Sequence, residues 1–211
     1  MLVLGFARRG SRTLAPQRES MSRKKPGTVR IIGGHWRGRR LPVPDLPGLR
    51  PSGDRSRETL FNWLQSSLRK ARCADLFAGT GVLGLEAVSR GAAQAVLIEK
   101  SPKAARAIRQ NVDVLSKDPA GEVSVVEGDA LQWLQECAPG SLDIVFVDPP
   151  FDSGLERRVL QYLADLDCLV PGGLVYLESA RIAPDSLIPS GFVTVKEKTV
   201  GEVRMRLLKK T

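Results

Sequence analysis

Between residues 73 and 178 short apolar, β-branched runs alternate with segments of helical period, and that rhythm leaves few folds open to the chain. The runs at 73–77, 95–99, 123–126, 143–148 and 174–178 read as strands. The intervening stretches, near 80–90, 102–116, 129–136 and 153–168, read as helices. Strand then helix, repeated, requires right-handed crossovers and a mostly parallel sheet covered on both faces. Two more alternating runs, 192–198 and 202–209, flank Val200-Gly201 and predict a C-terminal β-hairpin, which brings the sheet to seven strands. A preceding helix is expected over 54–68, with Leu60, Phe61, Leu64 and Leu68 on one face and Ser52 or Asp54 as its cap.

In such a sheet ligands meet the carboxyl ends of the strands. There the sequence Asp75-Leu-Phe-Ala-Gly79-Thr-Gly81-Val-Leu-Gly84 joins the first strand to its helix and satisfies G-x-G-x-x-G. The glycines let backbone approach a ligand and expose helix N–H groups to it. Asp75, Phe77, Ala78, Gly79, Thr80 and Gly81 are therefore candidate contacts for an adenosine-bearing cofactor. Glu99, with Lys100 after it, ends the second strand, and its carboxylate is placed to accept from two ribose hydroxyls. Asp129-Ala130 follows the third, where a side-chain acceptor reaches an adenine amine or simply caps the next helix. Asp75 would repel a pyrophosphate and suits an ammonium. Three acids at adjacent strand ends fit a sulfonium cofactor, S-adenosylmethionine, better than a nicotinamide dinucleotide.

The run 142–147 ends in Asp148-Pro149-Pro150-Phe151. Pro-Pro ends many strands for steric reasons alone. Here it also presents a carboxylate and outward carbonyls beside an aromatic ring, a combination that suits a planar base bearing an amino group.

Charge is unevenly distributed. Residues 1–57 hold 14 Lys and Arg against Glu19, Asp45 and Asp54, whereas the remaining residues carry a net −2. A basic leader on a near-neutral body points to a polyanion. Residues 1–27 have no periodicity and are expected to be a disordered basic tail, with Met21 as plausible a start as Met1. Residues 28–50 read as a basic hairpin or arm around Gly33-Gly34, and 51–211 as the catalytic domain. Arg30, Arg37, Arg39, Arg40, Arg50, Arg55 and Arg57 are candidate phosphate contacts, with Trp36 as a stacking partner for a base. Arg57, at a helix start, is also placed to pair with charges near the cofactor. One histidine, His35, and three separated cysteines make neither a zinc site nor a Ser-His-Asp or Cys-His mechanism. Without a secretory signal or a membrane-length apolar run, a cytoplasmic protein with reduced thiols is expected.

Taken together, Asp-Leu-Phe-Ala-Gly-Thr-Gly, Ile-Glu, Gly-Asp-Ala and Asp-Pro-Pro-Phe resemble the S-adenosylmethionine-dependent methyltransferases of exocyclic amines. The segment Arg30-Ile-Ile-Gly-Gly-His-Trp-Arg-Gly-Arg-Arg-Leu-Pro-Val-Pro, with the Arg50–Leu64 segment and the closing Lys198-Thr-Val-Gly-Glu-Val, resembles the RsmD family more specifically. The resemblance covers about residues 29–208. It implies a Rossmann-like class I methyltransferase fold and methylation of guanine N2 in small-subunit (16S) ribosomal RNA. Asp148, Pro149, Pro150 and Phe151 would be the catalytic residues, and the substrate is expected to be ribosomal RNA or an assembling 30S particle. The family carries two threonines where this chain has Ser52-Gly53. DNA adenine-N6 methylation and a non-catalytic RNA-binding assembly factor are the competing expectations.

Overall fold

The computed structural model describes residues 27–46, 49, 53–150 and 153–211. Residues 1–26 of the predicted tail, Arg50, Ser52 and Phe151 lie outside these residues, whereas Gly27, the tail's predicted last residue, is in a strand. Seven strands form one sheet: β3 (Arg72–Asp75), β4 (Gln94–Glu99), β5 (Glu122–Glu127), β6 (Leu142–Val147), β7 (Leu169–Ala180), β8 (Phe192–Val200) and β9 (Val203–Lys210). Their order is β5-β4-β3-β6-β7-β9-β8. The first five in this order are parallel, and β8 and β9 add antiparallel pairs. The sequence reading of a mostly parallel sheet closed by a C-terminal hairpin is thus met in the structure.

Side-chain alternation sends each strand's residues to two cores. On one face Cys73, Ile144, Phe146 and Tyr176 pack with α1 (Asp54–Leu64), α2 (Val82–Ser89) and α3 (Pro102–Leu115). On the other, Ala74, Val145 and Val175 meet α4 (Ala130–Gln135) and α5 (Leu155–Asp165). The first helix is shorter than its periodicity suggested. Leu68 still reaches the core, but from the turns that follow α1. Gly53 stands at the N-cap, so Asp54 is not the cap; it binds Arg57 at 2.5 Å from within the first turn. All three cysteines are free thiols, two of them buried. Among the described residues no helix is long and apolar enough to cross a membrane.

The basic arm is a packed element. Strands β1 (Gly27–Arg30) and β2 (Arg40–Val43) pair antiparallel, and the loop between them lies on α2. This explains why α2 buries all eight of its residues, Glu86 and Ser89 included. The Ser89 hydroxyl donates to the Gly33 carbonyl (2.7 Å) and accepts from the Trp36 backbone N–H (2.9 Å). Gly33 N–H donates to Glu86 Oε1 at 3.1 Å. Gly34 has φ +80°, and a Cβ there would stand 1.9 Å from the Ser89 carbonyl oxygen. The Gly-Gly pair is therefore the place where the hairpin docks on the helix.

Candidate active site

The carboxyl ends of β3, β4, β6 and β7 border a cleft of 760 Å³, a volume suited to a ligand of nucleoside size and above. It lies beside the β3–β6 junction, where the strand order reverses and open parallel sheets place their ligands.

Asp75 ends β3 and is 1% exposed, yet it lines this cleft. Its Oδ2 accepts the Gly84 N–H at 3.3 Å, while Oδ1 has no hydrogen-bond partner among the described residues. Burial pushes the carboxyl up to about 7; the backbone N–H groups of Gly84 and Phe77 oppose the rise, and the neighbouring Asp148 and Glu99 add to it. A buried carboxyl with one unspent oxygen is poorly satisfied until a donor or cation arrives. Glu99, at the end of β4, accepts from Gly79 N–H at 2.8 Å and from Ser101 N–H at 2.7 Å. It thereby fixes the glycine loop against the next strand and keeps acceptor capacity for a ligand hydroxyl.

Phe77, Ala78, Gly79 and Thr80 line the cleft as the loop predicts. Gly79 has φ +55°, which holds the turn close to the ligand space. Gly81 is not in the cleft wall. At φ +76° it starts α2, and a Cβ there would come within 2.9 Å of the Ile108 side chain. Its role is to seat α2 against β4 and α3. Lys100, Asp129 and Ala130 are likewise outside the wall. Asp129 Oδ1 caps α4 through Leu131 N–H at 2.9 Å, and its Oδ2 lies 3.3 Å from Lys100 Nζ. Of its two sequence readings, the helix cap is the one the side-chain geometry displays.

Asp148, Pro149 and Pro150 form the cleft wall beyond β6, which sets them in one space with Asp75 and Glu99. A residue the sequence reading passed over joins them. Glu178, near the end of β7, is 8% exposed and also lines the cleft. The Tyr176 hydroxyl donates to its Oε1. Burial first, then the negative charge of Asp148, pushes Glu178 up to about 7, with the tyrosine bond acting against the rise. An acid at the carboxyl end of a parallel strand was the available signal: the rule that singled out Asp75, Glu99 and Asp148 applies equally to Val-Tyr-Leu-Glu178.

The basic leader divides. Arg30, Arg37, Arg40 and Arg55 have exposed side chains. Arg39 lies half-buried, with Nη2 2.8 Å from Asp118 Oδ2. Two expectations are overturned. Trp36 is 2% exposed, packed in the core with its indole N–H donating to the Asp118 carbonyl at 2.7 Å, so it offers no face to a base. Arg57 is 1% exposed and holds Glu86 through Nη1 at 2.6 Å, with Arg90 on the other oxygen of that carboxylate at 2.7 Å. It ties α1 to α2 below the surface. In both cases burial, invisible in a composition count, overrode the reading of a basic, aromatic surface.

Residues 29–209 match the model of a family described as conserved hypothetical protein 95. The chain is 46% identical over 190 residues to ribosomal RNA small subunit methyltransferase D of Escherichia coli strain K12, covering 87% of this chain and 93% of that one. The corresponding Haemophilus influenzae protein is 40% identical over 182 residues, covering 86% and 93%. Among solved structures, a putative methyltransferase of Escherichia coli, yhhF, superposes with a TM-score of 0.77 at 42% identity, covering 87% of this chain and 98% of that one.

Proposed function

Because the chain belongs to the RsmD family of S-adenosylmethionine-dependent ribosomal RNA methyltransferases, we propose that it methylates the exocyclic N2 amine of a guanine in small-subunit RNA. The observation that carries the specific chemistry is the shared cleft of Asp75, Glu99 and Asp148-Pro149-Pro150, which brings a cofactor-holding set and an amine-holding set into one space. The enzyme is an RNA methyltransferase. Its substrate is taken to be the assembling small subunit, in the cytoplasm.

The cleft fits S-adenosylmethionine on the chemistry of its donors and acceptors. The unpartnered buried oxygen of Asp75 suits the ammonium of the methionine moiety. Glu99 suits the ribose hydroxyls, and the Gly79 turn allows close backbone approach. When bound, the cofactor supplies a methyl group on a sulfonium, already a strong electrophile.

The protein's work is then on the nucleophile. A guanine amino nitrogen has its lone pair delocalised into the ring. Asp148 and the Pro149 carbonyl accept from the amine and turn its lone pair toward the methyl group. As positive charge develops on nitrogen, the Asp148 carboxylate stabilises it, and the nitrogen then gives up one proton, to that carboxylate or to water. Phe151 follows directly in the chain and is assigned the stacking role beside the base. The base must leave any helical stack to enter, so the target is a loop or a flipped nucleotide. Arg30, Arg37, Arg40 and Arg55 hold the RNA backbone outside the cleft.

Transfer of a labelled methyl group to small-subunit RNA, with the nucleoside product identified, tests this. N2-methylguanosine supports the reading; a methyl group on any other atom sinks it.

A further inference from the structure

Asp148 follows Val147, and Glu178 follows Leu177; Val147 and Leu177 are register partners in adjacent parallel strands. The two acids thus extend the same row of the sheet. Two rows back lie Phe146 and Tyr176, also partners, with side chains on the α1 face. By strand alternation Asp148 and Glu178 leave the sheet on that same face. Neighbouring strands stand about 4.8 Å apart, so the pair offers two acceptors side by side. Both line the cleft. Glu178 is not left to wander: Tyr176, buried against Phe146 with centroids 6.5 Å apart, donates its hydroxyl to Oε1.

Burying a carboxyl beside another acid costs stability, and satisfying the Tyr176 hydroxyl occupies only one of the two Glu178 oxygens. Its placement suits a ligand with two adjacent donors. A guanine presents that arrangement, N1–H beside N2–H, whereas adenine sets an N1 lone pair beside its amine. We infer that Glu178 is a specificity-determining residue that accepts the guanine N1–H while Asp148 holds the N2 amine. This rests on the guanine-N2 reading above. The neighbouring acceptors then share the base's two donors, and a base with a ring acceptor at that position meets a lone pair instead.

The test compares guanine with 2-aminopurine at the mapped target nucleotide of reconstituted small-subunit RNA. 2-Aminopurine keeps the N2 amine but has no N1–H. The wild type is expected to prefer guanine in kcat/KM by about tenfold to a hundredfold, the worth of one charged hydrogen bond. Glu178→Gln, whose amide can donate to a ring nitrogen, is expected to narrow that preference by at least about tenfold. A cofactor-induced rise in Tm shows that the variant is folded. Should it not fold, Tyr176→Phe frees the carboxyl from its tether and is expected to narrow the preference in the same direction. Equal preference in the wild type and a folded variant overturns the inference while leaving guanine-N2 methylation intact. Absence of any transfer to guanine N2 by the wild type overturns both.

Discussion

Glu99 reaches across from the end of β4 to accept the Gly79 N–H at 2.8 Å, so the second acid of the site also fixes the shape of the glycine loop. A carboxylate that binds both a loop and a ligand couples the two. Glu99→Ala is expected to weaken S-adenosylmethionine binding by more than the lost ribose contacts alone, because the Gly79 turn loses its anchor. Loss of two charged hydrogen bonds predicts a rise in Kd of at least about a hundredfold, measured by calorimetry.

Asp75 predicts a pH signature. Its folded pKa of about 7 lies above the ordinary carboxylate value, so the buried acid destabilises the free protein increasingly as pH rises from about 4 through 7. Asp75→Asn should therefore raise the Tm of the cofactor-free protein at pH 8 and leave it nearly unchanged at pH 5. The ammonium of the cofactor favours the ionised carboxyl, so binding releases a proton from Asp75. Between pH 7.5 and 5.5 the wild-type affinity is expected to fall, and in Asp75→Asn the affinity is expected to be weak and flat over the same range. Calorimetry in buffers of different ionisation enthalpy reads the released proton.

Trp36 and its neighbouring arginines should separate cleanly. Trp36→Ala empties a core position beneath the hairpin and is expected to cost about 3–5 kcal/mol of stability, measured by urea unfolding. Arg37→Ala and Arg40→Ala have exposed side chains and are expected to leave the unfolding midpoint unchanged while weakening RNA binding.

The alternation of strands and helices was legible because burial on both faces makes each parallel strand a continuous apolar run; strand bounds shift by only a few residues, the early extension of β7 to Leu169 excepted. The glycine loop and the acids Asp75, Glu99 and Asp148 were legible because the chemistry sits at strand ends. The fate of the basic leader was not. Arg57 and Arg37 look alike in sequence, and only the docking of β1 and β2 on α2 decides that one is interior and the other exposed. Trp36 was misread for the same reason. Glu178 was legible in principle, since it ends a run already read as a strand, but nothing in a linear reading puts it next to Asp148; the β6–β7 register does that.

With Trp36 and Arg57 buried and Arg39 paired to Asp118, four exposed arginines among the described residues carry the proposed phosphate contacts. The slope of log K against log salt for RNA binding is then expected to be about −3. A slope near −5 or steeper would bring more of the leader into the contact.

The most direct measurement is methyl transfer from labelled S-adenosylmethionine to small-subunit RNA, free and in particles, by the wild type and by Asp148→Ala, with the labelled nucleoside identified by mass spectrometry. The account predicts N2-methylguanosine as the product, and a fall in turnover of at least about a hundredfold in the variant with cofactor affinity retained. Label in any nucleoside other than N2-methylguanosine, or a variant that turns over as fast as the wild type, would contradict it.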